Sequence, residues 1–293
     1  MNVFIIGTGL IGGSLALDIK EKFENALIFG IDSDELHLKK ALQLNLIDYA
    51  AELSNVSIAD VVIVSLPVDA TVNILGQVLD KIPDKAIVFD VGSTKQHICE
   101  SVANHPKRGN YIATHPIAGT EFSGPTAATP GLFNNKTNIL CETDKTNSVI
   151  LDRAKRIFTQ LEMNLIYMDP ITHDKHIAYC SHLSHICSFM LGKTVINKQN
   201  NEKGILDLAG SGFASTVRLA KSSPSMWTPI FKQNKENVIE ALDEFILNLF
   251  HFRNTLISGS KEELYNEMKS VNRIKDILKE IDHKQSAKAL TKN

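Results

Sequence analysis

Val3-Phe4-Ile5-Ile6-Gly7-Thr8-Gly9-Leu10-Ile11-Gly12 decides the fold, because four apolar residues run directly into a loop with three spaced glycines. The apolar run predicts a buried strand, and the residues after Gly12 predict a helix. In that context the first glycine permits a tight turn, the second lets a pyrophosphate approach the backbone, and the third allows helix and strand to pack closely. The predicted dinucleotide contacts are Gly7, Gly9, Leu10, Ile11 and Gly12.

Two further segments support a dinucleotide site. Asp32 lies twenty residues beyond Gly12, at the end of the second apolar run, where a carboxylate can accept hydrogen bonds from the adenosine ribose. The surrounding run, residues 30–35, has three acids and no base, so the predicted cofactor is NAD rather than NADP. Ser65, Leu66 and Pro67 follow a third run at the expected carboxyl edge of the sheet, where they line a cofactor or simply end the strand.

The order of the segments predicts an α/β protein. Apolar β-branched runs alternate with helical patterns up to Met168, which indicates an N-terminal Rossmann-type domain over residues 1–168. From Asp169 the periodicity is helical, which predicts an all-helical C-terminal domain over 169–283 and a disordered tail over 284–293. The predicted strands cover residues 3–6, 26–31, 61–64, 86–89, 111–113, 137–140 and 164–167.

Three predicted helices shape the C-terminal half. The first begins at Asp169-Pro170, a capping residue followed by a proline, and continues to about Lys198. The second covers residues 235–256 with a wide apolar stripe, and the third begins after Ser260, which has the capping-box spacing to Glu263.

The composition restricts the partners. The net charge of −2 differs from the basic character of nucleic-acid-binding proteins, and no apolar run approaches the roughly 20 residues that a membrane span needs. The start of the chain has no basic region before its apolar run, so no export signal is expected. Four cysteines without paired spacing fit a reducing compartment. We expect a soluble, cytoplasmic protein that binds small molecules or copies of itself.

Further motifs follow the glycine loop in a distinctive order. They are Val91-Gly92-Ser93-Thr94-Lys95, His115-Pro116-Ile117-Ala118-Gly119-Thr120-Glu121, Ser181-His182-Leu183-Ser184-His185, and Arg218 ahead of Ser223-Pro224-Ser225-Met226-Trp227. With the glycine loop, this set resembles the prephenate dehydrogenase family over almost the whole chain. The resemblance implies NAD-dependent oxidative decarboxylation of prephenate to 4-hydroxyphenylpyruvate in tyrosine biosynthesis, or the same reaction on its amino relative arogenate.

The resemblance also implies roles for individual residues. His115, with Ser93 beside it, would polarise or deprotonate the ring hydroxyl, a task suited to a neutral imidazole. Arg218 would hold a substrate carboxylate in a bidentate fork, although Ser215 stands where the family often has an acid three places earlier. The other implied pocket residues are His185, His182, Thr120, Glu121 and Trp227.

The residue types alone leave blander interpretations open. The sequence is also compatible with a structural role for His115 before its proline, a surface position for Arg218 and a core position for Trp227. His182 and His185 share a helix face, but no third ligand is evident, so no metal is expected. His173 and His176 look like ordinary polar positions near the start of a helix.

Two rival functions remain at this point. A β-hydroxyacid dehydrogenase shares the two-domain plan but would need a catalytic lysine on the helix that carries Ser181–His185, and Lys193 lies too far along it. A non-catalytic dinucleotide sensor would keep the glycine loop and need neither His115 nor Arg218. The family forms dimers through its helical domain, and the stripe over residues 235–256 is compatible with a homodimer.

Overall fold

The computed structural model describes residues 1–281, and an eight-stranded sheet is its central feature. The strands are β1 (Asn2–Ile6), β2 (Leu27–Ile31), β3 (Tyr49–Ala50), β4 (Val61–Val64), β5 (Ile87–Asp90), β6 (Tyr111–Pro116), β7 (Thr137–Cys141) and β8 (Asn164–Met168). Their order across the sheet is β3-β2-β1-β4-β5-β6-β7-β8. Every strand predicted from the sequence is present. The additional strand, β3, is a two-residue exposed edge without an apolar run to signal it.

The first six strands are parallel, and the chain reverses its direction across the sheet between β1 and β4. Ligands of open α/β folds bind at such a switch point, outside the carboxyl ends of the strands. The parallel arrangement expected from the sequence does not extend to β7, which pairs antiparallel with β6, while β8 is parallel to β7. The N–H of Ile117 donates to the carbonyl of Thr137 at 2.7 Å, so the connecting loop returns at the edge where β6 ends. Such a return needs no crossover helix.

Helices cover both faces of the sheet. Val3 and Ile5 of β1 pack in one core, with α1 (Leu10–Lys22), α2 (Glu35–Gln43) and α5 (Ser148–Gln160). Phe4 and Ile6 point to the other core, with α3 (Val68–Lys81) and α4 (Gln96–Ser101). Because successive side chains of a strand alternate between faces, a strand that is covered on both must be apolar throughout. This burial explains the continuous apolar runs of the sequence.

The remaining helices follow the sheet in the chain. They are α6 (Pro170–Ile177), α7 (Leu183–Asn201), α8 (Ser211–Thr216), α9 (Pro224–Gln233), α10 (Lys235–Ser258) and α11 (Lys261–Val271), and residues 274–281 are also helical. Asp169 caps α6 by accepting from the N–H of Thr172 at 2.9 Å, as expected. Ser260 and Glu263 form the predicted capping box of α11. The single long helix expected up to Lys198 is instead interrupted by a π-helical turn over Ala178–His182.

The chain forms two compact units, Met1–Lys235 and the residues from Glu236 onward. The first unit contains the sheet together with α6 to α9, whereas the predicted boundary at 168/169 marks the end of the last strand. That domain boundary stays a prediction. The predicted tail over 284–293 lies outside the described residues. Up to residue 281, no helix combines the length and apolar character that a membrane crossing requires.

Candidate active site

The glycine loop lies against the ends of β1 and β4. Gly7 has φ +96°, and a Cβ there would stand 2.1 Å from the carbonyl oxygen of Ser65. A Cβ on Gly12 would stand 2.1 Å from the carbonyl oxygen of Gly7, so both positions require glycine. A Cβ on Gly9 would meet no atom within 4 Å, and α1 starts after Gly9 without a side-chain cap. The open backbone at a helix N-terminus fits an anionic pyrophosphate, and the cofactor contacts of this loop stay a prediction.

The rest of the predicted cofactor set adjoins this loop. Leu10 and Ile11 form the first turn of α1 and are half-buried. Besides the carbonyl of Ser65, the Cδ2 of Leu66 would lie 3.0 Å from a Cβ on Gly7. Pro67 is the residue from which α3 begins. Ser65 and Leu66 therefore pack against the glycine loop.

Asp32, just past the end of β2, is tied to the glycine loop. Its Oδ2 accepts from the N–H of Thr8 at 2.9 Å and from the Thr8 hydroxyl at 3.0 Å, and its Oδ1 accepts from the N–H of Asp34 at 3.0 Å. A carboxylate has about four acceptor positions, so about one remains for a ribose hydroxyl. Thr8, which the sequence analysis did not single out, couples the acidic residue to the phosphate loop. Its position between the first two glycines was the available signal.

His115 lies in β6, near the same carboxyl edge as the glycine loop, and is 8% exposed. Its Nδ1 is 2.8 Å from the Nε2 of His173 on α6, and the Nδ1 of His173 is 2.7 Å from the Oδ1 of Asp174. Asp174 accepts from the backbone N–H groups of Lys95 at 2.7 Å and Gln96 at 3.0 Å. The interpretation of His173 as an ordinary polar position was wrong, because it is fully enclosed and contacts His115. Local sequence gave no signal of this contact, which spans 58 residues.

Burial is the main electrostatic influence on these histidines. It lowers the pKa of His115 well below its ordinary value, and His173, Lys95 and His182 act in the same direction. Burial also lowers the pKa of His173, against the opposing effect of its hydrogen bond to Asp174. Both imidazoles are therefore neutral at pH 7, and a neutral imidazole can accept a proton.

A buried ion pair joins the last residue of β5 to the loop that follows it. The ammonium of Lys95 donates to the carboxylate of Asp90 and, at 2.7 Å, to the carbonyl of Thr114, and both side chains of the pair are fully buried. Asp90 also accepts from the hydroxyl of Tyr111 at 2.7 Å. Removing one partner of a buried pair typically costs about 3–5 kcal/mol because it leaves an uncompensated charge. The pair therefore fixes the Val91–Lys95 loop against β6.

Ser93 belongs to that loop and is half-buried. The two residues that follow Ser93 are held in place, because the hydroxyl of Thr94 donates to the Oε1 of Gln233 at 2.7 Å and the side chain of Lys95 is buried. The predicted place of Ser93 beside His115 stays a prediction.

The two histidines of the Ser181–His185 motif contact an indole ring. His182 lies in the π-helical turn and is fully buried, and Trp227 on α9 meets its ring edge-on at 5.7 Å between centroids. His185 on α7 stacks on Trp227 at 3.6 Å. Burial lowers the pKa of His182 to about 4. Within the described part of the chain, the Nε1 of Trp227 and the Nε2 of His182 are buried and have no hydrogen-bond partner.

Arg218, by contrast, is about half exposed. Its Nη1 donates to the Oε2 of Glu121 at 3.0 Å. Glu121, from the loop after β6, thus supplies the acidic partner that the local sequence lacks at Ser215. One of the five arginine donors is used, which leaves the others for a ligand. Burial is the main cause that lowers the pKa of His185, and the charge of Arg218 lowers it further. Thr120, in the same loop as Glu121, accepts from the N–H of Phe122 at 3.3 Å.

Asn234 joins the two histidine clusters. Its Nδ2 donates to the backbone carbonyl of Asp174 at 2.7 Å and lies 3.2 Å from the Nδ1 of His182. The structure therefore connects four of the predicted site residues, His115, His182, Trp227 and His185, in one series of contacts that runs through His173, Asp174 and Asn234. Among residues 1–281, no group of three or more His, Cys, Asp or Glu side chains could hold a metal ion.

A Rossmann-type sheet with a glycine loop and a buried, neutral histidine at one edge defines a dinucleotide-dependent dehydrogenase. Two family models match the chain, the nucleotide-binding domain of prephenate dehydrogenase over residues 15–167 and its dimerization domain over residues 169–270. The prephenate dehydrogenase of Bacillus subtilis (strain 168) is 31% identical over 278 residues, which cover 94% of this chain and 75% of the relative. The chain belongs to the prephenate dehydrogenase family, as its motifs predicted.

Solved structures agree with this assignment. The prephenate dehydrogenase of A. aeolicus in complex with hydroxyphenyl propionate and NAD+ superimposes with a TM-score of 0.87 at 32% identity, covering 95% of this chain and 98% of that one. The arogenate dehydrogenase of Synechocystis gives a TM-score of 0.76 at 25% identity, covering 95% of this chain and 100% of that one.

We predict that Asp32→Asn narrows the preference for NADH over NADPH by about tenfold or more, since a charge-assisted hydrogen bond contributes about 1.5–3 kcal/mol. The dissociation constants of both cofactors, measured by fluorescence titration, test this. Asp34→Asn is the control, because asparagine still caps α2 while a neighbouring charge is removed, and its ratio should stay near that of the wild type. A wild-type ratio near one, or no change in Asp32→Asn, would contradict the role of Asp32.

Proposed function

We propose that this chain catalyses the NAD-dependent oxidative decarboxylation of prephenate to 4-hydroxyphenylpyruvate, a step of tyrosine biosynthesis. The observation that carries the proposal is a buried, neutral His115 on the sheet edge that also holds the glycine loop. The named activity of the relatives supports it, as does the NAD+ and the hydroxylated aromatic acid bound by the A. aeolicus enzyme. The direct test is reduction of NAD+ by the wild-type protein in the presence and absence of prephenate.

The reaction places one demand on the protein at the ring carbon. Bound NAD+ would supply the acceptor for the hydride that leaves the carbon bearing the hydroxyl, as carbon dioxide is lost and the ring becomes aromatic. The proton of that hydroxyl moves to a base as the hydride departs, and it returns to the ring oxygen once carbon dioxide has left, because the product is a phenol. We assign this base to His115, which accepts the proton at Nε2 because its Nδ1 already contacts His173. Ser93, in the loop fixed by Lys95, is the hydroxyl we assign beside His115.

The substrate carries two carboxylates, and cationic and N–H donors should meet them. Arg218 presents its remaining guanidinium donors in a planar fork, the geometry that a carboxylate prefers. His182, His185 and Trp227 provide ring surfaces and the unpartnered nitrogens described above. Thr120 and Glu121 lie on the loop that holds Arg218 in place, and we assign them to the same pocket.

Arogenate is the second candidate substrate, because the Synechocystis relative is an arogenate dehydrogenase. Arogenate carries an ammonium where prephenate has a keto group, so a free acid in the pocket would favour it. Glu121 is the acid of this cluster, and its ion pair with Arg218 neutralises it. This pairing favours the keto acid. Steady-state rates with both substrates distinguish the two candidates.

We predict that His115→Asn lowers kcat by about 10²–10⁴-fold with a smaller effect on KM, because general-base assistance acts mainly in the transition state. His176→Asn, which changes an exposed histidine of α6, should keep wild-type rates.

Since only the neutral imidazole accepts a proton, log(kcat/KM) of the wild type should fall as the pH drops through the lowered pKa of His115. The acid limb must therefore lie below pH 6.5. Near-normal kcat in folded His115→Asn, or an acid midpoint above 6.5, would remove His115 from this role.

For Arg218→Lys we predict a rise of about tenfold or more in KM for prephenate with little change in NADH affinity. Lysine keeps the charge but cannot offer two parallel donors, and a charge-assisted hydrogen bond contributes about 1.5–3 kcal/mol. Arg156→Lys, an exposed change on α5, is the matched control. Equal weakening of substrate and cofactor binding would indicate that Arg218 has a structural role instead.

We further propose a cytoplasmic homodimer, formed through the helical part of the chain and without a nucleic-acid partner. The second matching family model is described as a dimerization domain. On α10, the apolar side chains of Leu249, Phe250 and Leu256 are each more than half exposed. We expect sedimentation equilibrium to give twice the chain mass of 32.4 kDa at micromolar concentration. A single-chain mass at that concentration would contradict the dimer.

A further inference from the structure

We propose that Asp174 and His173 are positioning residues that hold His115 in the tautomer with its proton on Nδ1 and an unprotonated Nε2. This inference rests on the proposed role of His115 as the base, and it assigns a function to two residues outside the family motifs quoted above. A histidine can carry its single proton on either ring nitrogen, and only one of the two forms leaves Nε2 able to accept a proton.

The direction of the hydrogen bonds is set at the Asp174 end. Two backbone N–H groups, those of Lys95 and Gln96, donate to the Asp174 carboxylate, one to each oxygen. Backbone amides are donors at every pH, so they favour an ionised carboxylate, which can only accept. The Oδ1 of Asp174 lies 2.7 Å from the Nδ1 of His173, which must therefore carry a proton and donate it.

The position of the proton on His173 in turn determines the position of the proton on His115. Because His173 is neutral and protonated on Nδ1, its Nε2 is an acceptor. The Nδ1 of His115, 2.8 Å away, must then be the donor, and a neutral His115 has no proton left for Nε2. The order of donors and acceptors thus begins at two backbone amides and ends with a lone pair on the base. Burial of both rings excludes water that could supply alternative partners.

The surrounding charges suit a base that becomes positive only during turnover. The groups that face the two rings are the Lys95 ammonium and His182, which oppose a positive charge, and Asp90 and Asp174, which favour one. Asp90 is already paired with Lys95, so Asp174 is the anion that can stabilise a positive charge on His115. When the hydroxyl proton moves to Nε2, the Nδ1 proton remains in place and His115 becomes an imidazolium. Its charge is then stabilised through His173 by Asp174.

Asp174→Asn should reverse the direction of the hydrogen bonds between residue 174, His173 and His115. An amide has one acceptor oxygen and one donor NH2 group, so it cannot accept from both backbone amides and from His173. If its NH2 group faces His173, the Nδ1 of His173 becomes an acceptor, its Nε2 becomes a donor, and the proton of His115 moves to Nε2. His173→Gln, in contrast, keeps the order, since its amide nitrogen can donate to Asp174 while its oxygen accepts from His115. His173→Leu removes the connection.

Long-range 1H–15N correlation spectra of the full-length protein with 15N-labelled histidine read the tautomers directly. His115 and His173 are assigned by single substitution. We expect both rings of the wild type to carry the proton on Nδ1, and His115 of Asp174→Asn to carry it on Nε2. Asp152→Asn, an exposed change on α5, should leave the spectrum unchanged. The spectra need no turnover, so they remain decisive if prephenate proves not to be the substrate.

The kinetic comparison tests the same inference. Replacing the orienting acid of a catalytic histidine costs about 10⁴-fold in another enzyme class, so we expect Asp174→Asn and His173→Leu to lower kcat by about 10²–10⁴-fold. KM and NADH affinity should stay within about threefold, and His173→Gln should retain kcat within about tenfold of the wild type. A wild-type His115 protonated on Nε2, an unchanged tautomer and kcat in Asp174→Asn, or His173→Gln as impaired as His173→Leu would each overturn the proposal.

Discussion

Lys95 donates to the Asp90 carboxylate and to the Thr114 carbonyl without any contact with water, and its backbone N–H holds Asp174. A buried ammonium is tolerated only when its pairing and hydrogen bonds are nearly complete, since the desolvation penalty is several kcal/mol per ion. That requirement restricts three elements at once, namely the end of β5, strand β6 and helix α6. His115 and His173 are the chain neighbours of Thr114 and Asp174, so the two histidines are held by the same restraint.

The sheet relates this histidine centre to the cofactor loop. Parallel strands end at a common edge, so β1, β4, β5 and β6 bring the glycine loop, Ser65 and His115 to one side of the fold. Burial differs between the residues of the candidate site. His115 is enclosed, which keeps it neutral, whereas Arg218 is about half exposed and keeps guanidinium donors that its contact with Glu121 does not use.

The helical segments supply what the sheet cannot. The π-helical turn places His182 against Trp227, and Asn234 ties that cluster to Asp174. A π turn inserts one residue into the helical repeat and is often found at functional sites, because it redirects side chains that a regular helix would present elsewhere. The continuous periodicity of the sequence contains no sign of this turn, and a regular helix was therefore expected there.

The sequence by itself determined every strand except β3, together with the glycine loop, the place of Asp32 and the family. Those features are local, since an apolar run, a glycine that must lack a Cβ, or an ordered set of motifs can be recognised without knowing what lies opposite. Only the tertiary structure decided that His173 contacts His115, that Glu121 pairs with Arg218 across 97 residues, and that β7 runs antiparallel to β6. Each of these depends on the distance between atoms on different elements. That distance is fixed by the packing of helices and strands, which no local pattern encodes.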